Sequence, residues 1–269
     1  KLGDVRLVKV FNLKGGGPFR LGPSGKAPKG FSWDEWLGPA KSREYHSKIF
    51  HGGWHYFWDY SGGDLADCGI HQLDLALMVL GDPPAPSAVS ASGGRLQHKG
   101  DDGEVPDVEI LHYDYPEFVM TFEHSHFANS MSKIDGSIRS GDKFPHWLQC
   151  ATRIEFYGAK DNMMLGRHGG GWQVFTSNGK VVDQKFGRHP DTEHQQNFID
   201  CIKSRNRPNA DVGLAQVSTS VMHIGNIAHR VGNQKLHYNA SEEQFTNNDS
   251  ANSLSKRQNI NDFSVKEII

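Results

Sequence analysis

Polar and apolar residues alternate at the start of the chain, where Val5 and Leu7 interleave with Asp4 and Arg6 before Val8, Val10 and Phe11. This β-branched run predicts a strand. The pattern breaks over residues 14–30, where Gly15-Gly16-Gly17-Pro18 and further Gly and Pro predict a long irregular loop. Aromatic residues then concentrate in Trp33, Trp36, Trp54, Tyr56, Phe57, Trp58 and Tyr60. The period next changes to 3.6. Leu65, Ala66, Ile70, Leu73, Ala76, Leu77, Val79 and Leu80 spread around most of one helix, which Gly81, Pro83 and Pro84 end. An apolar helix of this kind is expected to be buried.

From residue 87 onward the pattern predicts strands over 87–96, 108–113, 118–123, 152–157, 163–165 and 172–176. Asn178-Gly179 before Val181-Val182 is a hairpin signal. The short, turn-rich spacing predicts an antiparallel sheet rather than repeated βαβ units. Two helices follow, one from Asp191 through Phe198 and Ile202 to about Ser204, the other from about Gly213 to Val231. Beyond Tyr238 the chain turns rich in Asn, Ser, Glu and Lys, so residues 1–240 read as one domain and 241–269 as a peripheral segment. There is no internal repeat.

The central helix carries chemistry. At 100° per residue from Asp64, residues Asp67, His71 and Asp74 fall within a sector of about 80°. Three carboxylates and an imidazole on one stripe of an apolar helix are expected to line an internal cavity, since burying them without partners is costly. Asp67 lies one turn before His71, where a carboxylate can fix the ring's tautomer and raise its basicity. An imidazole tuned in this way can take a proton from a hydroxyl. Asp74 lies one turn further on, and Gly62-Gly63 lets backbone approach a ligand closely. A structural polar network is the plainer alternative. A metal site built on these carboxylates and His71 ranks lower, because no second His lies at ligand spacing on the helix. Trp54, Trp58 and Tyr60, close before the stripe, suit the C–H faces and hydroxyl rims of a sugar, although such clusters also build cores.

Composition narrows the field. The 269 residues are 36% hydrophobic and 22% charged with a net charge of −2, a globular composition without the basic surface that nucleic acid requires. No apolar run is long enough to span a membrane as a helix. Cys68, Cys150 and Cys201 form no CxxC pair. No GxGxxG joins a strand to a helix and no P-loop occurs, so a nucleotide-binding half is missing from the pattern. The chain starts at Lys1 rather than Met, and a true N-terminus is expected upstream.

Gly62-Gly63-Asp64-x-x-Asp67-x-Gly69-x-His71-x-x-Asp74 resembles the GG-x-x-x-D-x-G-x-H-x-x-D signature of the Gfo/Idh/MocA oxidoreductases. Trp33-Asp34-x-Trp36-Leu37-Gly38-Pro39-Ala40, Phe57-Trp58-Asp59-Tyr60, Asn197-Phe198-x-Asp200-Cys201-Ile202 and Gly225-Asn226-Ile227-Ala228 are similar to its bacterial inositol-2-dehydrogenase-like subgroup. The resemblance recurs at intervals over residues 1–255 and covers only the family's C-terminal domain. It implies an α+β fold, an open, mostly antiparallel sheet with helices packed on one face, whose free face commonly joins subunits into homo-oligomers. It also implies NAD or NADP held mainly by a separate Rossmann domain, and a sugar, cyclitol or glycoside substrate. By matching positions His71 is the acid–base group and Asp67 orients it. Asp74 contacts substrate, with Asp64, Trp54, Trp58 and Tyr60 as further substrate-binding candidates. The family's catalytic lysine, which comes from the nucleotide domain, has no counterpart in the pattern. Rival readings are an NAD-dependent glycoside-cleaving enzyme on the same fold, a metal-dependent lyase or hydrolase, and a non-catalytic sugar-binding domain.

Overall fold

The first strand outlasts its apolar stretch. In the computed structural model, which describes residues 1–256 apart from His168 and Asn233, β1 runs from Val5 to Lys14. Side chains alternate across a strand, so Val8, Val10, Asn12 and Lys14 share one face, and the first three are fully buried. Among the described residues nine further strands follow: β2 (Ala88–Gly94), β3 (Val108–Asp114), β4 (Val119–His126), β5 (Arg153–Gly158), β6 (Asn162–Gly166), β7 (Trp172–Phe175), β8 (Val181–Lys185), β9 (Leu236–Asn239) and β10 (Gln244–Phe245). They form one sheet in the order β10-β9-β2-β3-β4-β1-β5-β6-β7-β8. Among the described strands only β1 and β4 pair in parallel, with Val10 opposite Phe122, Asn12 opposite His124 and Lys14 opposite His126. All other pairings are antiparallel.

Among the described residues seven α-helical segments complete the fold: α1 (Trp33–Leu37), α2 (Ser47–Phe50), α3 (Ile70–Val79), α4 (Gly136–Arg139), α5 (Asp191–Ser204), α6 (Val212–Val231) and α7 (Asp249–Leu254). α3 and α6 cover one sheet face. Leu73, Ala76 and Leu77 of α3 and Val221, Ile224 and Ala228 of α6 join Val8, Val10, Leu111, Tyr113, Met120, Phe122, Ile154 and Phe156 in the core. Each fully buried Leu or Phe there contributes roughly 1.5–3 kcal/mol. On the opposite face Ile110 and Val119 stay exposed, which leaves the sheet open. α5 exposes Phe198, Ile199 and Ile202. Gly179, with φ of 77°, makes the hairpin between β7 and β8.

The central helix departs from the sequence reading in two ways. Leu65–Gly69 is a π-turn, followed by α-helix from Ile70. It ends when the N–H of Asp82 bonds the carbonyl of Leu77 and Gly81 adopts φ of 82°, a Schellman closure. The charged stripe does not line a closed interior. Asp67, His71 and Asp74 are exposed, because they lie on the side of the helix turned away from the sheet, where Met78 and Val79 are exposed too. The strand at β4 also continues to His126, three residues beyond its expected end. Within 241–256, β10 extends the sheet edge while Phe245 and Ala251 reach the core; the remainder of that segment lies outside the described residues.

Gly69 sets the distance between helix and sheet. A Cβ there would come within 2.6 Å of the buried Phe122 ring. Gly69→Ala should therefore destabilise the fold by about 1–3 kcal/mol through overpacking, read from chemical denaturation midpoints. An unchanged midpoint would show that α3 has room to move off β4.

Candidate functional site

Both strands of the parallel pair end at the same place. Lys14 closes β1 and His126 closes β4, and the π-turn passes above them. Between these elements lies a cavity of about 220 Å³ lined by Lys14, His55, Tyr56, Asp64, Asp67, His124 and His126, with Gly52, Val105 and Pro106 at its edge. Carboxyl ends of parallel strands are favoured places for ligands, and π-turns recur at functional sites.

An ion pair holds the cavity together. Lys14 Nζ donates to Asp64 Oδ1 at 2.6 Å, and both side chains are largely buried. Burial works against each charge, yet the partner overrides it. Lys14 is raised above its ordinary value by Asp64, and Asp64 is held below the usual carboxylate value by His124 and Lys14. Lys14 Nζ also lies 3.7 Å from Cys68 Sγ, and that thiol donates to Asp67 Oδ2 at 3.4 Å. His55 Nε2 stands 3.5 Å from Asp67 Oδ1, its other nitrogen 2.7 Å from the Gly52 carbonyl.

A polar row underlies this pair. Register places Glu109 of β3 and Asn12 of β1 on either side of His124, and all three side chains are buried. His124 Nδ1 lies 3.6 Å from Asp64 Oδ2. Burial pushes both His124 and His126 below the ordinary imidazole value. Glu109 Oε1 meets His229 Nδ1 at 3.0 Å.

The structure distributes the residues singled out from the sequence over several places. Asp64 and Asp67 share the cavity. His71 lies one turn beyond Asp67 and outside the cavity lining; loss of hydration, with the charges of Arg167 and Lys133, lowers its pKa against the opposing pull of Asp67 and Asp74. No hydrogen bond joins His71 to Asp67 among the described residues. Asp74 accepts a 2.6 Å hydrogen bond from Ser218 of α6. Trp54 and Tyr60 border a second depression with Trp36, Pro39 and Glu35. Trp58 stands apart from both, its ring 5.4 Å from the Arg230 guanidinium. From the aromatic run, His55 and Tyr56 are the residues that reach the first cavity.

Lys14, His124 and His126 were not singled out from the sequence. Their signal was the alternation itself: Val8, Val10, Asn12, Lys14 and Met120, Phe122, His124, His126 each continue one inward face.

Removing one member of a largely buried pair costs about 3–5 kcal/mol. Lys14→Met should lower stability by about 3 kcal/mol at neutral pH. Asp64 is depressed, so its contribution is present above the ordinary carboxylate pKa and is lost as pH falls through its folded value. The gap between wild type and variant, measured by urea denaturation, should therefore close in acid. A gap that persists in acid would assign the loss to packing.

Residues 16–140 and 153–265 match the model of an oxidoreductase family's C-terminal alpha/beta domain, the GFO_IDH_MocA_C2 model. No curated protein matches the sequence. Solved structures share the fold. One is the WlbA dehydrogenase from Bordetella pertussis in complex with NADH and UDP-GlcNAcA, at 14% identity and TM-score 0.52, covering 89% of this chain and 56% of that one. Another is an aldose-aldose oxidoreductase from Caulobacter crescentus complexed with glycerol, at 17% identity and TM-score 0.54, covering 88% and 56%. A third is the UDP-N-acetylglucosamine 3-dehydrogenase GnnA from Acidithiobacillus ferrooxidans, at 13% identity and TM-score 0.50, covering 84% and 54%. The chain spans little more than half the length of each. With its open, mostly antiparallel sheet and the matched family model, this chain belongs to the Gfo/Idh/MocA oxidoreductases through their C-terminal α/β domain.

Proposed function

We propose that this chain is the substrate-binding and catalytic half of an NAD- or NADP-dependent oxidoreductase that moves hydride between nicotinamide and a sugar or cyclitol carbon. The observation that carries this reading is the placement of Asp67 on a small polar cavity, one helical turn before an imidazole whose pKa is lowered. In this reading His71 is neutral at neutral pH and takes the hydroxyl proton as hydride leaves the adjacent carbon. Asp67 orients the ring and stabilises its charged form. Asp64 holds a substrate hydroxyl at the cavity, and Trp54 and Tyr60, which border the second depression, offer apolar faces to the ring.

The nicotinamide supplies the hydride chemistry and would be held by a second, nucleotide-binding domain. The 54–56% coverage of the three solved relatives supports that division. The open sheet face, with Ile110 and Val119 exposed, would serve association between copies.

In the protein joined to its nucleotide-binding domain, His71→Ala should lower hydride transfer by about 10²–10⁴-fold while NAD(H) binding is retained. Wild-type alcohol oxidation should lose activity in acid only below the ordinary imidazole pKa, because His71 is shifted downward. Full NADH formation by the variant would overturn the assignment. Titration of the present chain alone with NADH should give very weak binding; micromolar affinity would refute a division of labour between two domains.

A further inference from the structure

Asp64, Asp67 and Cys68 each bring one ligand atom within 4.8 Å of the others. Beneath them His124 is buried with a side-chain exposure of 2%, and neither of its ring nitrogens has a hydrogen-bond partner. Its Nδ1 faces Asp64 Oδ2 at 3.6 Å, too long for a hydrogen bond, and that oxygen is also buried without one. Buried polar atoms are nearly always satisfied, so two idle groups turned toward each other at one cavity mark a place that a ligand completes. The donors define that ligand. Two carboxylates and a thiol match zinc and related first-row ions, whereas a thiol does not suit magnesium or calcium.

We propose that Asp64, Asp67 and Cys68 form a binding site for a divalent transition-metal ion of the zinc class, with His124 behind Asp64 facing its second oxygen. Lys14 is its internal competitor. Its ammonium stands 2.6 Å from Asp64 and 3.7 Å from Cys68, so it supplies the positive charge there and must yield when an ion enters. His55 Nε2, 3.5 Å from Asp67, offers a further nitrogen on the solvent side. Because Asp67 is shared, occupation would take it from His71 and silence that pair. This last consequence rests on the reading of His71 given above; the ion site itself does not.

Titration of the whole chain with cobalt(II) tests the site and needs neither nicotinamide nor sugar. One ion should bind per chain, with visible bands of a four-coordinate site and a near-ultraviolet thiolate-to-cobalt band. Cys68→Ser should abolish the near-ultraviolet band. His124→Asn should weaken binding about tenfold or more, and Lys14→Met should strengthen it. Absence of saturable one-to-one binding overturns the proposal. So does a spectrum and affinity that Cys68→Ser and His124→Asn both leave unchanged, since such binding belongs to other histidines of the chain. If His124→Asn does not fold, the Cys68→Ser spectrum decides alone.

Discussion

Parallel pairing of β1 with β4 is the constraint on which the rest of the site depends. In an otherwise antiparallel sheet it makes two strands finish side by side instead of end to end. Lys14 and His126 arrive together, with Asn12 and His124 one repeat below them. An antiparallel partner for β1 at this position would have placed the start of a strand beside Lys14. The π-turn then needs only to pass over this doubled end for Asp64 to meet the ammonium.

The arrangement is costly and locally compensated. Glu109, His124 and Asn12 form a polar row on the helix-covered face, where their neighbours along the strands are Leu111, Phe122 and Val10. Polar groups in such a layer cost free energy unless they are paired. The Lys14–Asp64 pair offsets part of that cost above His124, and His229 faces Glu109 at the other end. Between these two anchors the row stays incompletely hydrogen-bonded.

Much of the fold could be read from the chain. Alternation in Val108–Asp114 marks a strand buried on one side, and the 3.6 period places α5 and α6 to within a residue or two. The family signature was legible because Gly69 and the spacing of Asp67, His71 and Asp74 answer to close helix–sheet packing and to one helix rim. Three things were not legible. Strand ends were drawn where apolar residues stopped, which hid Lys14, His124 and His126 although the alternation ran on. A wheel at 100° per residue takes no account of a π-turn, whose smaller rotation per residue shifts the stripe: Asp64 and Asp67 line the cavity and His71 lies outside it. The aromatic run lacks a regular period, so nothing local said that His55 and Tyr56, rather than Trp54 and Tyr60, would face the carboxylates.

The contact of Gly69 with Phe122 also governs motion. Without a side chain at Gly69 the helix packs closely against the Phe122 ring, which fixes Asp67 and His71 relative to β4. Any widening of the cavity then falls to its other wall, where Gly52, with φ of 98°, leads into the turn of His55 and Tyr56 opposite Val105 and Pro106. The molecule thus divides into an anvil that keeps its charged groups in fixed register and a thinner rim through which a ligand would enter.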